Sequence, residues 1–386
     1  MQIEETLFAL LRAPFIGVVS QCSCTPDEWM AVYSLAVKQH VEGLAFQGVS
    51  LLPSSQRPPL DLIFQWASEV EVVRGQNLLL NRVASKITQM FAVEGRRSAV
   101  LKGPANARLY PNKLNRQCGD IDIWLEGGRE SVLELLIRMG LLDPQTLDSE
   151  SKKQDDSKPL DEKVQDKIMD FVEHHVCLSH DIDGISVEVH FVPSRGNFNP
   201  FTTKQMQPWL EHEIQTATLA EEGFYVPSIR FALVMQLSHI QNHFKEGIGL
   251  KQLVDYYVLL KNSTAEDREI VRQKLRSFGL FHVAQAVMCV LQRIFHLEEN
   301  LMLCKPDACR GQMLFDKIME GGHFGFYAAP KTETAFARWW RERLNVIAMM
   351  RFDFAEALWS EILYYKMFFS FIPLRIKYRK LWLKKN

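Results

Sequence analysis

Two aspartates separated by a single residue, Asp120 and Asp122, are the residues of this chain best suited to bind a metal ion. Alternate side chains of a β-strand share a face, so in a strand the two carboxylates would lie about 6–7 Å apart on one face. Ile121, Ile123 and Leu125 would then fill the opposite, core-facing side. Two carboxylates on one face repel each other unless a cation lies between them, and hard oxygen ligands suit Mg²⁺.

A third carboxylate, Glu188, lies in a segment of alternating apolar and polar residues at 185–191. The alternation predicts a strand with Glu188 pointing away from the core. If this strand lies beside that of Asp120, three carboxylates converge, as two-metal phosphoryl and nucleotidyl transfer requires. An Asp-x-Asp strand is more often a solvated strand face, and the same tripeptide at 181–183 is predicted to form a turn. The pair Asp120 and Asp122 therefore indicates a metal site only in combination with the residues around it.

The elements that must position these acids alternate between helical and mixed character. Residues 1–95 show the three- and four-residue apolar spacing of helices, with a predicted break at Pro14. Short strands are predicted at 98–101 and 120–125. Two further strands follow, near 173–179 and 185–192, and an Asp-Gly pair between them indicates a hairpin.

The sequence predicts an α+β fold in which helical regions flank a small mixed sheet. The predicted division is a helical region at 1–95, a core at 96–200 and a second helical region at 201–386. Residues 144–166 are almost without large apolar side chains, so we expect a mobile insertion in the core.

Several blocks around the acids form a recognisable pattern. They read VLKG at 100–103, RLYP at 108–111, RxxGDIDI at 116–123, VEVH at 187–190, and LSHxxxH followed by GIGLxQLxD between 237 and 255. This pattern resembles the uncharacterised bacterial nucleotidyltransferase family, of the polymerase-beta-type nucleotidyltransferase superfamily. The resemblance spans roughly residues 78–260, a little under half of the chain.

The resemblance implies that Asp120, Asp122 and Glu188 are the catalytic, metal-binding carboxylates, with two Mg²⁺ ions expected. The expected reaction is transfer of a nucleoside monophosphate from an NTP such as ATP to an acceptor hydroxyl or amine, with release of pyrophosphate. Superfamily members usually have Gly-Ser after the first strand, where this chain has Lys102-Gly103. The lysine ammonium can supply charge for the triphosphate, and Gly103 permits close approach of backbone to phosphate.

Four further residues are candidates for nucleotide or metal contacts. Arg116 either binds the triphosphate or forms a salt bridge that orients Asp120 or Asp122. The resemblance makes Lys251 a candidate phosphate contact. His239 and His243 lie four residues apart on one helical face, but the glutamate base of a zinc protease is missing between them, so packing or substrate contact is preferred over zinc binding.

Composition excludes several other classes of protein. The formal net charge is −1, with 45 basic and 46 acidic residues, which gives no support for sequence-independent binding of nucleic acid. Seven scattered cysteines do not form a disulfide framework. The chain shows no signal peptide and no apolar run long enough for a transmembrane segment, so a cytoplasmic location is expected.

Two alternatives remain open on sequence grounds. One is a non-catalytic nucleotide- or partner-binding protein on the same fold. The other is a toxin-like transferase acting on RNA, since the C-terminal segment at 375–385 interleaves basic and apolar residues. Such a segment either packs as a terminal helix or makes a weak contact with an anionic surface. The acceptor, whether a small molecule, protein or RNA, cannot be read from the sequence.

Overall fold

The structure is a computed structural model that describes residues 2–19, 22–143, 174–244, 247–321, 335–370 and 372. In the first half of the chain the elements are α1 (Gln2–Ile16), α2 (Pro26–Lys38), α3 (Glu42–Ser50), α4 (Leu60–Val93), β1 (Ser98–Val100), α5 (Pro104–Ala107), β2 (Ile121–Leu125) and α6 (Gly128–Arg138). The second half contains β3 (His175–Cys177), β4 (Val187–His190), α7 (Pro200–Ile214), β5 (Thr218–Leu219), β6 (Tyr225–Val226), α8 (Ile229–His243), α9 (Leu250–Asn262), α10 (Ala265–Lys274), α11 (Phe281–Phe295), α12 (Ala308–Gly321), α13 (Ala335–Phe352) and α14 (Phe354–Ser370).

A mixed four-stranded sheet with the order β1-β2-β4-β3 lies among the helices, which confirms the predicted α+β class. The strands β1 and β2 are antiparallel, β2 and β4 are parallel, and β4 and β3 are antiparallel. The parallel pair places Asp122 opposite Glu188 in register. The two predicted acidic strands are therefore neighbours.

The predicted hairpin between β3 and β4 is confirmed. Asp183 and Gly184 both have positive φ, +53° and +83°, and the backbones of Ile182 and Ile185 on either side bond to each other. Two consecutive left-handed residues give the turn a twist that matches that of the flanking strands, which is why Asp-Gly is favoured at this place. The turn fixes the register that aligns β3 with β4.

One face of the sheet is apolar and packs against α4 and α6. Ile121, Ile123, Val187 and Val189 are fully buried in this core. Burying apolar area at about 25 cal/mol per Å² is the main force that holds the sheet in place. Since side chains alternate along a strand, the polar residues of β2, β3 and β4 must lie on the other face.

The N-terminal and C-terminal helices share a second core on that other side. Leu7 and Phe8 of α1 belong to the same buried cluster as Leu253 of α9 and Phe295 of α11. Arg12 also donates a hydrogen bond of 2.7 Å to the carbonyl of Ile294. The helical regions predicted at the two ends of the chain thus enclose the polar face of the sheet together.

The break predicted at Pro14 is wrong, because α1 continues through it to Ile16. Proline lacks the amide that would bond to the carbonyl of Leu10 one turn earlier. Gly48 of α3 lies against that carbonyl, and a Cβ built at Gly48 would be only 2.2 Å from the Leu10 oxygen. The absence of a side chain at Gly48 therefore permits a close crossing of α1 and α3.

Glu356 of α14 ties the C-terminal helices to the start of α7. Its Oε2 accepts hydrogen bonds from the backbone amides of Phe198 and Asn199, at 2.9 and 3.3 Å, while Oε1 is buried without a hydrogen-bond partner. Burial raises the pKa of Glu356 to about 7, and the neighbouring Asp353 adds to the rise. The carboxylate form of this side chain therefore costs folding free energy at neutral pH.

Two predictions fall outside the described residues: the insertion at 144–166 and the basic segment at 375–385. The described helices include none with the length and apolar character needed to cross a bilayer.

Candidate active site

Asp122 and Glu188 meet on the polar face of the sheet. Their Cα atoms are register partners on the parallel strands β2 and β4. A carboxylate oxygen of each, together with a ring nitrogen of His190, lies within 4.8 Å of the other two, close enough to share a metal ion. Asp120 lies immediately before β2 and is half-buried. The first register pair of β2 and β4 is Ile121 with Val187. Asp120 is therefore one strand repeat away from the tight pair, on the same face.

Mutual repulsion perturbs the acids of this face. Burial raises the pKa of Glu188 to about 7, and the charges of Asp122 and Asp120 add to the rise. Burial together with the charge of Asp122 also raises the pKa of Asp120. Carboxylates this crowded favour a bound cation, since a cation relieves the repulsion.

Asp122 itself is held ionised by two neighbours. Lys102 Nζ lies 3.2 Å from Asp122 Oδ1, and His190 Nε2 lies 3.0 Å from the same oxygen. Although burial acts to raise the pKa of Asp122, Lys102 and His190 outweigh it and hold that pKa well below its usual range. Lys102 thus lies directly against the carboxylate that is expected to bind metal.

A cavity of about 380 Å³ opens beside these acids. Its walls bring together residues from the β1–α5 junction, β2, α8 and α9. They are Lys102, Gly103, Arg116, Gly119, Asp120, Asp122, Ser186, Gln236, His239, Lys251, Gln252 and Asp255. All the residues predicted to bind nucleotide, and the two predicted catalytic aspartates, line this one cavity. Glu188 joins them through its contact with Asp122.

Gly103 has a backbone conformation that only glycine adopts readily, with φ +63° and ψ −111°. A Cβ at this position would lie 3.4 Å from the carbonyl oxygen of Asp120. The turn after β1 therefore passes close to the residue that precedes the acidic strand β2.

Lys251 reaches the cavity from the first turn of α9 and is almost completely buried. Burial and the positive charge of Arg116 lower the pKa of Lys251 to about 8, while Asp255 opposes the shift. A buried ammonium on a cavity wall is suited to binding an anion, because the anion replaces the solvation that burial removed.

Arg116 makes its salt bridge with Asp255. The guanidinium binds the carboxylate through two contacts, Nε to Oδ1 at 2.7 Å and Nη2 to Oδ2 at 2.6 Å. Tyr110 and Asn106 also donate to Asp255, at 2.7 and 3.3 Å. The pair is fully buried, and the pKa of Arg116 is raised well above its usual value because Asp255 outweighs desolvation. Asp255 thus fixes the loop before β2 to α9, while the predicted contact of Arg116 with nucleotide stays a prediction.

His239 and His243 of α8 contact each other, with ring centroids 4.4 Å apart and ring planes tilted by 60°. His239 lines the cavity, and burial lowers its pKa well below the usual value. Neither residue belongs to a three-ligand group able to hold a metal within the part of the chain that the structure describes.

Sequence reasoning assigned no role to three other histidines at this site. His175 of β3 is the register partner of His190 of β4, and His174 adjoins both. His175 Nε2 lies 3.6 Å from Glu188 Oε2. Burial and the charge of His190 lower the pKa of His175 to about 4. The alternation that revealed Glu188 also places His190 on the same face, so the sequence contained this signal.

Residues 25–296 match the family described as uncharacterised nucleotidyltransferase, and the chain belongs to this family. Among solved structures, an antigenic nucleotidyltransferase-like protein from Paracoccidioides brasiliensis is similar, with 13% identity, a TM-score of 0.33, and coverage of 60% of this chain and 95% of that chain. A similarity this remote supports no statement about the site. The curated proteins include no significant match.

Proposed function

We propose that this protein is a Mg²⁺-dependent nucleotidyltransferase that transfers a nucleoside monophosphate from an NTP to an acceptor hydroxyl or amine and releases pyrophosphate. The observation that supports it most is the pairing of Asp122 with Glu188 on adjacent parallel strands, with Asp120 lining the same cavity as Asp122. Membership of the nucleotidyltransferase family adds independent support.

The donor set fits magnesium. Asp120, Asp122 and Glu188 offer only oxygen ligands, and their repulsion disfavours the arrangement without a cation. In this proposal the three carboxylates hold two ions. When bound, such ions activate the attacking hydroxyl and neutralise the charge that develops on the leaving group.

The chain's own cations bind the triphosphate in this proposal. Lys102 and Lys251 present ammonium groups to the same cavity, and Gly103 lets the backbone approach a phosphate. Arg116 contributes positive charge from the wall, because its N–H groups are already bonded to Asp255, Gln117 and Cys118. Lys102, which lies 3.2 Å from Asp122 Oδ1, would bind phosphate of the NTP, and Asp122 would then be available to hold a metal ion.

The test is incubation with each NTP labelled at the α-phosphate, with and without Mg²⁺, in a cell extract that supplies acceptors. Small-molecule, protein and RNA fractions are then analysed by mass, and pyrophosphate is measured. We expect Mg²⁺-dependent transfer of the nucleoside monophosphate to one fraction. Transfer to the RNA fraction would favour the toxin-like transferase acting on RNA. Transfer of only the γ-phosphate, or nucleotide binding with no transfer in any fraction, would contradict the proposal.

The chain supplies a matched control for this test. The tripeptide Asp-Ile-Asp occurs both at 120–122 and at the exposed hairpin turn at 181–183. Replacing both aspartates by asparagine at 120 and 122 should abolish transfer and leave the fold intact. The same pair of changes at 181 and 183 should leave transfer unchanged.

A further inference from the structure

Three histidines form a compact cluster at the edge of the sheet, beside the carboxylates. The ring centroids of His174, His175 and His190 lie 4.4 to 5.2 Å from one another. One ring nitrogen from each lies within 4.8 Å of those of the other two. Backbone pairing fixes the cluster, since His175 and His190 are register partners on the antiparallel strands β3 and β4.

The hydrogen-bond pattern leaves one nitrogen of His190 for another ligand. Its Nε2 is 3.0 Å from Asp122 Oδ1, whereas its Nδ1 is buried and has no hydrogen-bond partner. The His190 side chain is only 7% exposed, so water does not satisfy this atom easily. A buried polar atom without a partner is unfavourable, and a ligand at Nδ1 would offset that cost.

The two ring nitrogens of His175 also face different groups, one a carboxylate and the other a histidine of the cluster. Its Nε2 faces Glu188 Oε2 at 3.6 Å, and its Nδ1 lies 3.1 Å from His174 Nε2. Nitrogen ligands bound at about 2.0–2.1 Å in a tetrahedral site are roughly 3.3 Å apart, close to this separation. Metal-binding histidines characteristically donate their other ring N–H to a carboxylate, as His190 is placed to do toward Asp122.

We propose that His174 Nε2, His175 Nδ1 and His190 Nδ1 form a second metal site, for a divalent transition-metal ion such as Zn²⁺. Imidazole ligands select zinc, cobalt, nickel or copper, whereas the neighbouring carboxylates suit magnesium. Asp122 serves as the outer hydrogen-bond partner of His190, and Glu188 lies 3.6 Å from His175 Nε2. An ion here would also fix His190 against Asp122 and join the edge strand β3 to β4. The site does not depend on the proposed nucleotidyl transfer.

The experiment uses the full chain, stripped of metal and titrated with Co²⁺ in excess Mg²⁺. Visible absorption reports coordination, because four-coordinate Co²⁺ absorbs far more strongly than octahedral Co²⁺. We expect one Co²⁺ per chain that Mg²⁺ does not displace and that Zn²⁺ does. His174→Ala and His175→Ala should each weaken binding at least about 100-fold, since losing even an outer hydrogen-bond partner costs 10–100-fold.

Three variants separate this site from its neighbours. His180→Ala removes an exposed histidine of the hairpin turn and should leave Co²⁺ binding unchanged. Asp120→Asn weakens the carboxylate site, so it should reduce Mg²⁺ binding and leave Co²⁺ binding unchanged. Cys177→Ser removes the other soft donor on β3, which lies in a group with His175 and Glu188. It too should leave Co²⁺ binding unchanged.

Several outcomes would overturn the proposal. They are an octahedral Co²⁺ spectrum, displacement by Mg²⁺, normal binding in both histidine variants, or loss of binding in Cys177→Ser. Because an alanine variant that does not fold would also lose binding, His174→Gln and His175→Gln are measured alongside, with circular dichroism and Tm in chelator. Loss of Co²⁺ binding in folded glutamine variants supports the site. Failure of Asp120→Asn to reduce Mg²⁺ binding would count against the proposed function alone.

Discussion

The contact between Lys102 and Asp122 gives a prediction that depends directly on the state of the site. Lys102→Met keeps most of the side-chain volume and removes the ammonium that lies 3.2 Å from Asp122 Oδ1. Without a metal ion, the variant leaves a buried carboxylate, 2% exposed, with His190 as its remaining close partner. With Mg²⁺ bound, the ion supplies the missing positive charge. The loss of stability should therefore depend on magnesium.

The magnitude follows from the burial of the pair. Removing one partner of a fully buried ion pair costs about 3–5 kcal/mol, and an exposed pair contributes about 0–1 kcal/mol. Lys102 is 27% exposed and Asp122 keeps His190, so we expect a loss of about 2 kcal/mol without metal. For a chain of this length, that corresponds to a fall in Tm of roughly 3 °C.

The assay is Tm in chelator and in saturating Mg²⁺, with Lys86→Met as the control. Lys86 Nζ lies 3.0 Å from Asp183, a similar separation, but both side chains are about half exposed. We expect Lys102→Met to lose stability in chelator and to recover most of it in Mg²⁺, because the ion binds only the folded site. Lys86→Met should change little in either condition.

The NTP Michaelis constant adds a second measurement on the same variant. If Lys102 passes from Asp122 to a phosphate, loss of a charge-assisted contact of roughly 1.5 kcal/mol raises that constant about tenfold. Lys102→Ser, which puts a hydrogen-bonding hydroxyl in place of the ammonium, should be less affected. Equal losses of stability with and without Mg²⁺, together with an unchanged Michaelis constant in both variants, would refute the reasoning.

Three further predictions concern a backbone turn, a buried ion pair and a buried carboxyl group. Gly103→Ala should raise the NTP Michaelis constant. The control Gly95→Ala, also at positive φ but with open space around it, should only lower stability. Equal kinetics in the two variants would contradict a backbone contact with phosphate. Asp255→Asn should cost about 3–5 kcal/mol in urea unfolding because it leaves Arg116 buried without its carboxylate, and a loss below about 1 kcal/mol would contradict that. Glu356→Gln removes a carboxyl whose pKa rises from 4.5 to about 7 on folding, so the wild type loses up to about 3 kcal/mol as pH rises through this window and the variant should not. Urea unfolding at pH 5 and pH 8 measures the difference, and parallel pH profiles would contradict it.

Much of the site could be predicted because a period of two residues assigns each strand residue to a face. The alternation at 121–125 and at 185–191 placed Asp122 and Glu188 opposite the apolar core, and the structure puts them there. The Asp183-Gly184 turn was predicted from the turn preference of an Asp-Gly pair between alternating segments, and the helices from their three- and four-residue apolar spacing. Local periodicity determines these features.

The partner of Arg116 could not be predicted in the same way. Asp255 lies 139 residues from Arg116 along the chain, and only the packing of α9 against the loop before β2 brings them together. The pairing of His175 with His190 likewise depends on the register of β3, which is fixed by its hairpin rather than by composition. The close crossing of α1 and α3 depends on Gly48, where a Cβ would lie only 2.2 Å from the carbonyl oxygen of Leu10. Tertiary contacts decide these points.

The most direct measurement of the central claim is a count of the divalent ions held by the acidic face. Mn²⁺ replaces Mg²⁺ in such sites, and electron paramagnetic resonance distinguishes free from bound Mn²⁺. With a non-hydrolysable NTP analogue we expect two Mn²⁺ ions per chain in His174→Ala, which removes the histidine site. Combining His174→Ala with Asp120→Asn and Asp122→Asn should abolish this binding. Combining it with Asp181→Asn and Asp183→Asn should preserve the binding. The same number of bound Mn²⁺ ions in both combinations would show that Asp120 and Asp122 do not hold the metal.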